Sequence, residues 1–87
     1  MTADIIRQKL EEAFKPDLIE IIDHSAAHAG HAGNQGGGHY YVTLVSGQFE
    51  GKSLVQRHQL VYQALGGMMK DEIHALGINA LTPSENS

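Results

Sequence analysis

Eighty-seven residues, 41% of them apolar and 18% charged, make one domain with a single core that buries about 60–65% of the unfolded chain's surface, which excludes both a second domain and disorder over most of the length. A formal charge of −4, with only six Lys and Arg and no two of them adjacent, removes the electrostatic basis for tight nonspecific nucleic-acid binding. The absence of cysteine removes disulfides, thiol redox chemistry and any iron–sulfur cluster enclosed by this chain's own thiolates.

Residues Ile6, Leu10, Ala13 and Phe14 recur at helical spacing between Thr2 and Lys15, with Thr2 or Asp4 available as a cap and Pro16 as the stop. The short β-branched run Leu18–Ile22 predicts a strand. Residues 25–38 hold five glycines and no bulky apolar side chain, so they cannot bury themselves and are expected to form a mobile surface loop. A second strand is predicted from His39 to Ser46, with Tyr40, Val42 and Leu44 on one face and His39, Tyr41, Thr43 and Val45 on the other. Ser53 caps a helix whose apolar stripe reads Leu54, His58, Val61 and Leu65 and which Gly66-Gly67 ends. A helical turn at Met68–Glu72 and a third strand at Ile73–Leu81 follow, the latter with His74, Leu76, Ile78 and Ala80 on one side. Residues 82–87 are expected to be a flexible tail. The order α-β-β-α-α-β makes an α+β domain, simplest as a three-stranded sheet covered by helices on one face. No apolar run is long enough for a signal peptide or a membrane span, so a soluble cytoplasmic protein with no membrane partner is the expectation.

The histidines are the chemical feature. His24, His28 and His31 crowd the start of the glycine-rich segment, His39 closes it, and His74 stands far downstream. Imidazole is a common neutral metal ligand, so metal binding is the first hypothesis. Against it, a surface loop can carry histidines without function, and a single strand-start histidine is more often a hydrogen-bonded structural residue. By position, His39 reads as structural, His24 as solvated, His58 as a core-facing or satisfied histidine and Met68-Met69 as core filler. Gly51-Lys52-Ser53 lacks the spacing of a phosphate loop. The Gly-x-x-Gly that clamps nucleic-acid backbones is missing between the two central helices, its nearest approach being Gly30-His31-Ala32-Gly33 in another loop. No nucleophile–base set or paired carboxylates are legible, and catalysis is not expected.

Four separated motifs closely resemble the BolA family: Ser25-x-x-His28; His39-Tyr40-x-Val42-x-Leu44-Val45-Ser46; Phe49-Glu50-Gly51-Lys52-Ser53-Leu54-Val55-x-Arg57-His58-x-x-Val61-Tyr62; and Ile73-His74-Ala75-Leu76. The resemblance implies a class II K-homology-like fold with a mixed sheet. It also implies pairing with a monothiol glutaredoxin around a shared [2Fe-2S] cluster, in iron–sulfur trafficking or iron regulation. The family's C-terminal cluster ligand falls on His74. Its loop ligand falls on His28, with His31 as the alternative offered by this unusually glycine-rich loop. The glutaredoxin side supplies two thiolates, its own cysteine and that of bound glutathione, and two imidazoles complete the count as in Rieske centres. Neutral imidazoles raise the cluster's potential and make ligation sensitive to protonation. The free chain is expected to be a monomer or a weak homodimer. A reading of another class, a DNA-binding transcriptional regulator, also has precedent in the family and would use the helix at Ser53–Leu65 with Lys52 and Arg57.

Overall fold

The computed structural model describes residues 2–24, 38–71 and 73–86, with the backbone alone at Asp71 and His74. Helix α1 (Thr2–Phe14) buries Ile6, Leu10 and Phe14 along one stripe, while Ala13 is exposed. Its last turn closes through Lys15, which adopts a left-handed φ of 46° and donates its N–H to the Glu11 carbonyl at 3.0 Å. Pro16 then prevents continuation.

Strand β1 (Leu18–Asp23) pairs antiparallel with β2 (Gly38–Val45), in register from Leu18 opposite Val45 to Asp23 opposite Tyr40. Strand β3 (Ile73–Leu81) lies on the other side of β2 and runs parallel to it, which gives the mixed sheet its order β1-β2-β3. A parallel neighbour requires a crossover, and α2 (Leu54–Leu65) with α3 (Met68–Asp71) supplies it. The alternation expected in β2 is present: Tyr40, Val42 and Leu44 are buried in the core with Ile6, Leu10, Phe14, Val61, Leu65 and Met68. Ile19 and Ile21 of β1 and Leu76 and Ile78 of β3 pack beside them.

The turn after β2 is a short 3-10 helix, Gly47–Phe49, that drops Phe49 fully into the core against Phe14, with ring centroids 5.0 Å apart. Buried Ser46 ties the same corner together. Its hydroxyl donates to the Phe14 carbonyl at 2.8 Å and accepts the Gln48 N–H at 3.1 Å.

Helix α2 starts on a capping box in which Ser53 Oγ accepts the Gln56 N–H at 3.2 Å and Gln56 Oε1 accepts the Ser53 N–H at 2.9 Å. Gly66, at φ 57°, ends it by donating its N–H to the Tyr62 carbonyl. Both limits match the expectation. The helix's phase does not: the buried residues are Arg57, Val61 and Leu65, whereas Leu54 is 64% exposed and His58 only half-buried. Arg57 takes an inward place because its polar atoms find partners there.

Residues 82–86, within the stretch expected to be a flexible tail, carry local structure: Thr82 and Glu85 form a capping box, with Thr82 N–H donating to Glu85 Oε1 at 2.8 Å and Glu85 N–H donating to Thr82 Oγ1 at 3.2 Å. That box starts α4 (Pro83–Asn86). In β3 the alternation expected to begin at His74 is interrupted, because the register steps from Gly38 opposite Ile73 to His39 opposite Ala75 and leaves one residue over. Ile73, 2% exposed, lies in the core. None of the helices among the described residues is long and apolar enough to cross a membrane.

Candidate functional site

Because β1 and β2 are antiparallel while β2 and β3 are parallel, β1 ends where β2 and β3 begin. Both anchors of the 25–37 segment therefore meet the start of β3 at one end of the sheet. The ladder extends one step past β1 through His24, whose N–H donates to the His39 carbonyl at 2.6 Å. On the other side of β2, His74 lies between the pairs Gly38–Ile73 and His39–Ala75, a strand spacing of about 4.8 Å from the second anchor. A Cβ at Gly38 would overlap the Tyr40 ring that lies across it, so the ring would have to move. His24 is exposed and His39 half-buried, so this sheet end opens to solvent.

The structure thus brings His74 beside the roots of the histidine-bearing segment. His28 and His31 lie outside the described residues. Among the described residues no three His, Asp or Glu side chains converge on a metal-sized space. Imidazoles are the donors this end offers, and they suit a cluster whose thiolates come from elsewhere. His24 and His39, read from the sequence as a solvated and a structural residue, turn out to be cross-strand neighbours. That pairing follows from the hairpin register and has no local sequence signal.

The residues of the alternative reading are placed differently. Arg57 is 7% exposed, and its guanidinium is spent within the fold. Nε donates to the Lys52 carbonyl at 3.0 Å and Nη1 to the Ala80 carbonyl at 3.0 Å, while Nη1 and Nη2 fork onto Glu85 at 2.6 and 3.1 Å. Its donors are directed at the fold's own acceptors. Lys52 is exposed, but the shallow groove it borders is otherwise lined by Gln56, Gln59, Leu60 and Gln63, a neutral surface. The clamp was half legible, since Thr82-x-x-Glu85 is a capping-box spelling. Its tie to Arg57, 28 residues away, was not.

The Arg57 fork, helped by the Thr82 N–H, holds the Glu85 carboxyl at about 2, below its ordinary 4.5, and the same bond raises Arg57. A depressed carboxylate pKa contributes stability above the unfolded value that is lost as pH falls toward the folded one. Acidification from about 4.5 to about 2 should therefore release α4. The Glu85→Gln variant should be less stable at neutral pH and show a flatter loss over that window, as followed by amide exchange at Glu85 and Asn86. Equal pH slopes for the two proteins would mean that the clamp contributes nothing.

Residues 10–85 match the family model for BolA-like proteins. The chain is 45% identical over 86 residues to the SufE-like protein 1, chloroplastic/mitochondrial, of Arabidopsis thaliana, with 92% of this chain and 23% of that protein covered. It is 38% identical to the DNA-binding transcriptional regulator BolA of Vibrio cholerae, covering 98% of this chain and 78% of that one. Among solved structures, the BolA domain of SufE1 from Arabidopsis thaliana superposes with a TM-score of 0.84 at 44% identity, covering 97% of this chain and 94% of that domain. The chain spans between 23% and 58% of the length of the first plant and mammalian relatives it matches. With a matched family model over most of its length and the same fold in the solved domain, the chain belongs to the BolA-like family.

Proposed function

We propose that this chain acts without catalysis of its own, pairing with a monothiol glutaredoxin and co-ligating a shared [2Fe-2S] cluster through His74 and a histidine of the loop, His28 or else His31. The observation that carries the reading is the sheet end at which His74 lies beside the second anchor of the histidine-bearing segment, with the first anchor one strand further on. A ligand on a strand sets geometry, and one on a loop can release, which suits reversible assembly. The cluster would supply electron-accepting iron, and the chain two neutral imidazole donors.

Anaerobic reconstitution with a glutaredoxin and glutathione should give a visible spectrum distinct from that of the glutaredoxin alone. His28→Ala should alter that spectrum and speed cluster loss, while His31→Ala should do little. Equivalent single variants with a failing double variant make the two histidines interchangeable. A double variant with the wild-type spectrum removes the loop from the ligand set.

The name of the Vibrio cholerae relative favours a second reading, DNA binding by this chain. A salt titration against duplex DNA separates the two. Phosphate contacts give a steep salt slope, whereas a chain of net charge −4 with Arg57 sequestered should show little affinity at any salt.

A further inference from the structure

We propose that the Tyr40 hydroxyl is a hydrogen-bond donor to a sulfur of the shared cluster, an inference that rests on the glutaredoxin reading and adds a residue to it. Tyr40 lies on the helix-covered face of β2 and is 8% exposed, packed in the core with Val42 and Leu44. Its ring leans back along the strand over Gly38, so that a Cβ at Gly38 would stand 2.6 Å from the hydroxyl oxygen. The hydroxyl therefore sits at the first residue of β2. The partner of that residue in β3 is Ile73, the residue before His74.

The other buried polar side chains are spent within the fold: Ser46 on the Phe14 carbonyl, Arg57 on the Lys52 and Ala80 carbonyls, Thr82 on the Glu85 N–H. The Tyr40 hydroxyl has no hydrogen-bond partner among the described residues. Among those residues no side-chain polar atom sealed from water lacks a partner, so this oxygen reaches solvent. A buried ring thus carries an unspent O–H to the surface, at the end of the sheet where residue 74 and both anchors of the 25–37 segment lie. Tyrosine suits that task, because its apolar body is held by the core while its polar tip stays available. Hydrogen bonds to the sulfurs of an iron–sulfur cluster are one of the levers that set its potential, and a donor there favours the reduced, more negative form. Gly38 keeps the arrangement possible, since any side chain there would displace the ring.

Tyr40→Phe removes the oxygen and keeps the ring. Wild type and variant are each reconstituted anaerobically with a monothiol glutaredoxin and glutathione, and a redox titration is followed by the visible spectrum. The free chains are melted in parallel. The variant should assemble a cluster of lower midpoint potential. At a fixed poise its ratio of reduced to oxidised cluster should be about tenfold smaller, which is about 59 mV for a one-electron couple. The free variant should melt with the wild type, because the hydroxyl makes no bond within the described fold. Gly38→Ala, which moves the ring but keeps the hydroxyl, should lower the potential in the same sense and add nothing when combined with Tyr40→Phe. If Gly38→Ala does not fold, Tyr40→Phe alone decides. An unchanged potential in Tyr40→Phe overturns this inference and leaves the glutaredoxin reading standing. A shift accompanied by an early melt of the free variant also overturns it, by making the hydroxyl a structural group. A wild-type pair that assembles no cluster overturns the glutaredoxin reading and this inference with it.

Discussion

His74→Ala is expected to erase the visible spectrum of a cluster shared with glutaredoxin while leaving the melting temperature of the free protein nearly unchanged. The physical basis is the register shift at the start of β3. Ile73 occupies the buried position opposite Gly38, and the regular pairing resumes at Ala75 opposite His39, so residue 74 is left without a partner in the register. A residue left over by the ladder has no place in the regular pairing, at a sheet end that His24 and His39 also occupy. A buried, hydrogen-bonded structural histidine behaves in the opposite way: its loss costs on the order of 1–3 kcal/mol, and the cluster persists. Thermal melts of the free variant, recorded beside visible spectra of the reconstituted pair, separate the two cases. An early melt with an intact spectrum would remove His74 from the ligand set.

The second large effect concerns stability. Phe49→Ala should cost about 3–5 kcal/mol, the usual range for emptying a phenylalanine site in a well-packed core. Phe49 is fully buried and packs against Phe14 in a tilted ring contact with centroids 5.0 Å apart, and it sits in the turn that launches the crossover from β2 to β3. A domain of this size has roughly 5–15 kcal/mol in total, so the variant should melt lower by tens of degrees or fail to fold. Phe49→Leu retains most of the volume and should lose under about 2 kcal/mol. Urea unfolding with an unchanged slope and a shifted midpoint is the expected signature. A loss below about 1 kcal/mol for the alanine variant would show that this turn is not packed as described.

These effects fall where local and non-local information part. Tyr40, Val42 and Leu44 alternate, and that alone marks β2 as a strand with one buried face. The limits of α1 and α2 are equally local: Pro16 cannot continue a helix, Ser53 with Gln56 caps the next, and Gly66 adopts the positive φ that ends it. Even the C-terminal residues carry a local signal, the capping-box spelling Thr82-x-x-Glu85.

The phase of α2 was not local. A guanidinium ranks as a surface group until the Lys52 and Ala80 carbonyls and the Glu85 carboxylate are known to surround it, and those partners come from three different parts of the chain. Once they do, Arg57, Val61 and Leu65 turn inward and Leu54 turns out. The same holds at the candidate site. Histidine content, the absence of thiols and the order of elements were determined by the sequence, because they depend on side-chain identity and on contacts within a turn or two. That His24 faces His39, and that His74 is the residue the β2–β3 ladder leaves over, was decided by the tertiary structure, because strand register arises only when segments far apart in the chain pair their backbones over a common core.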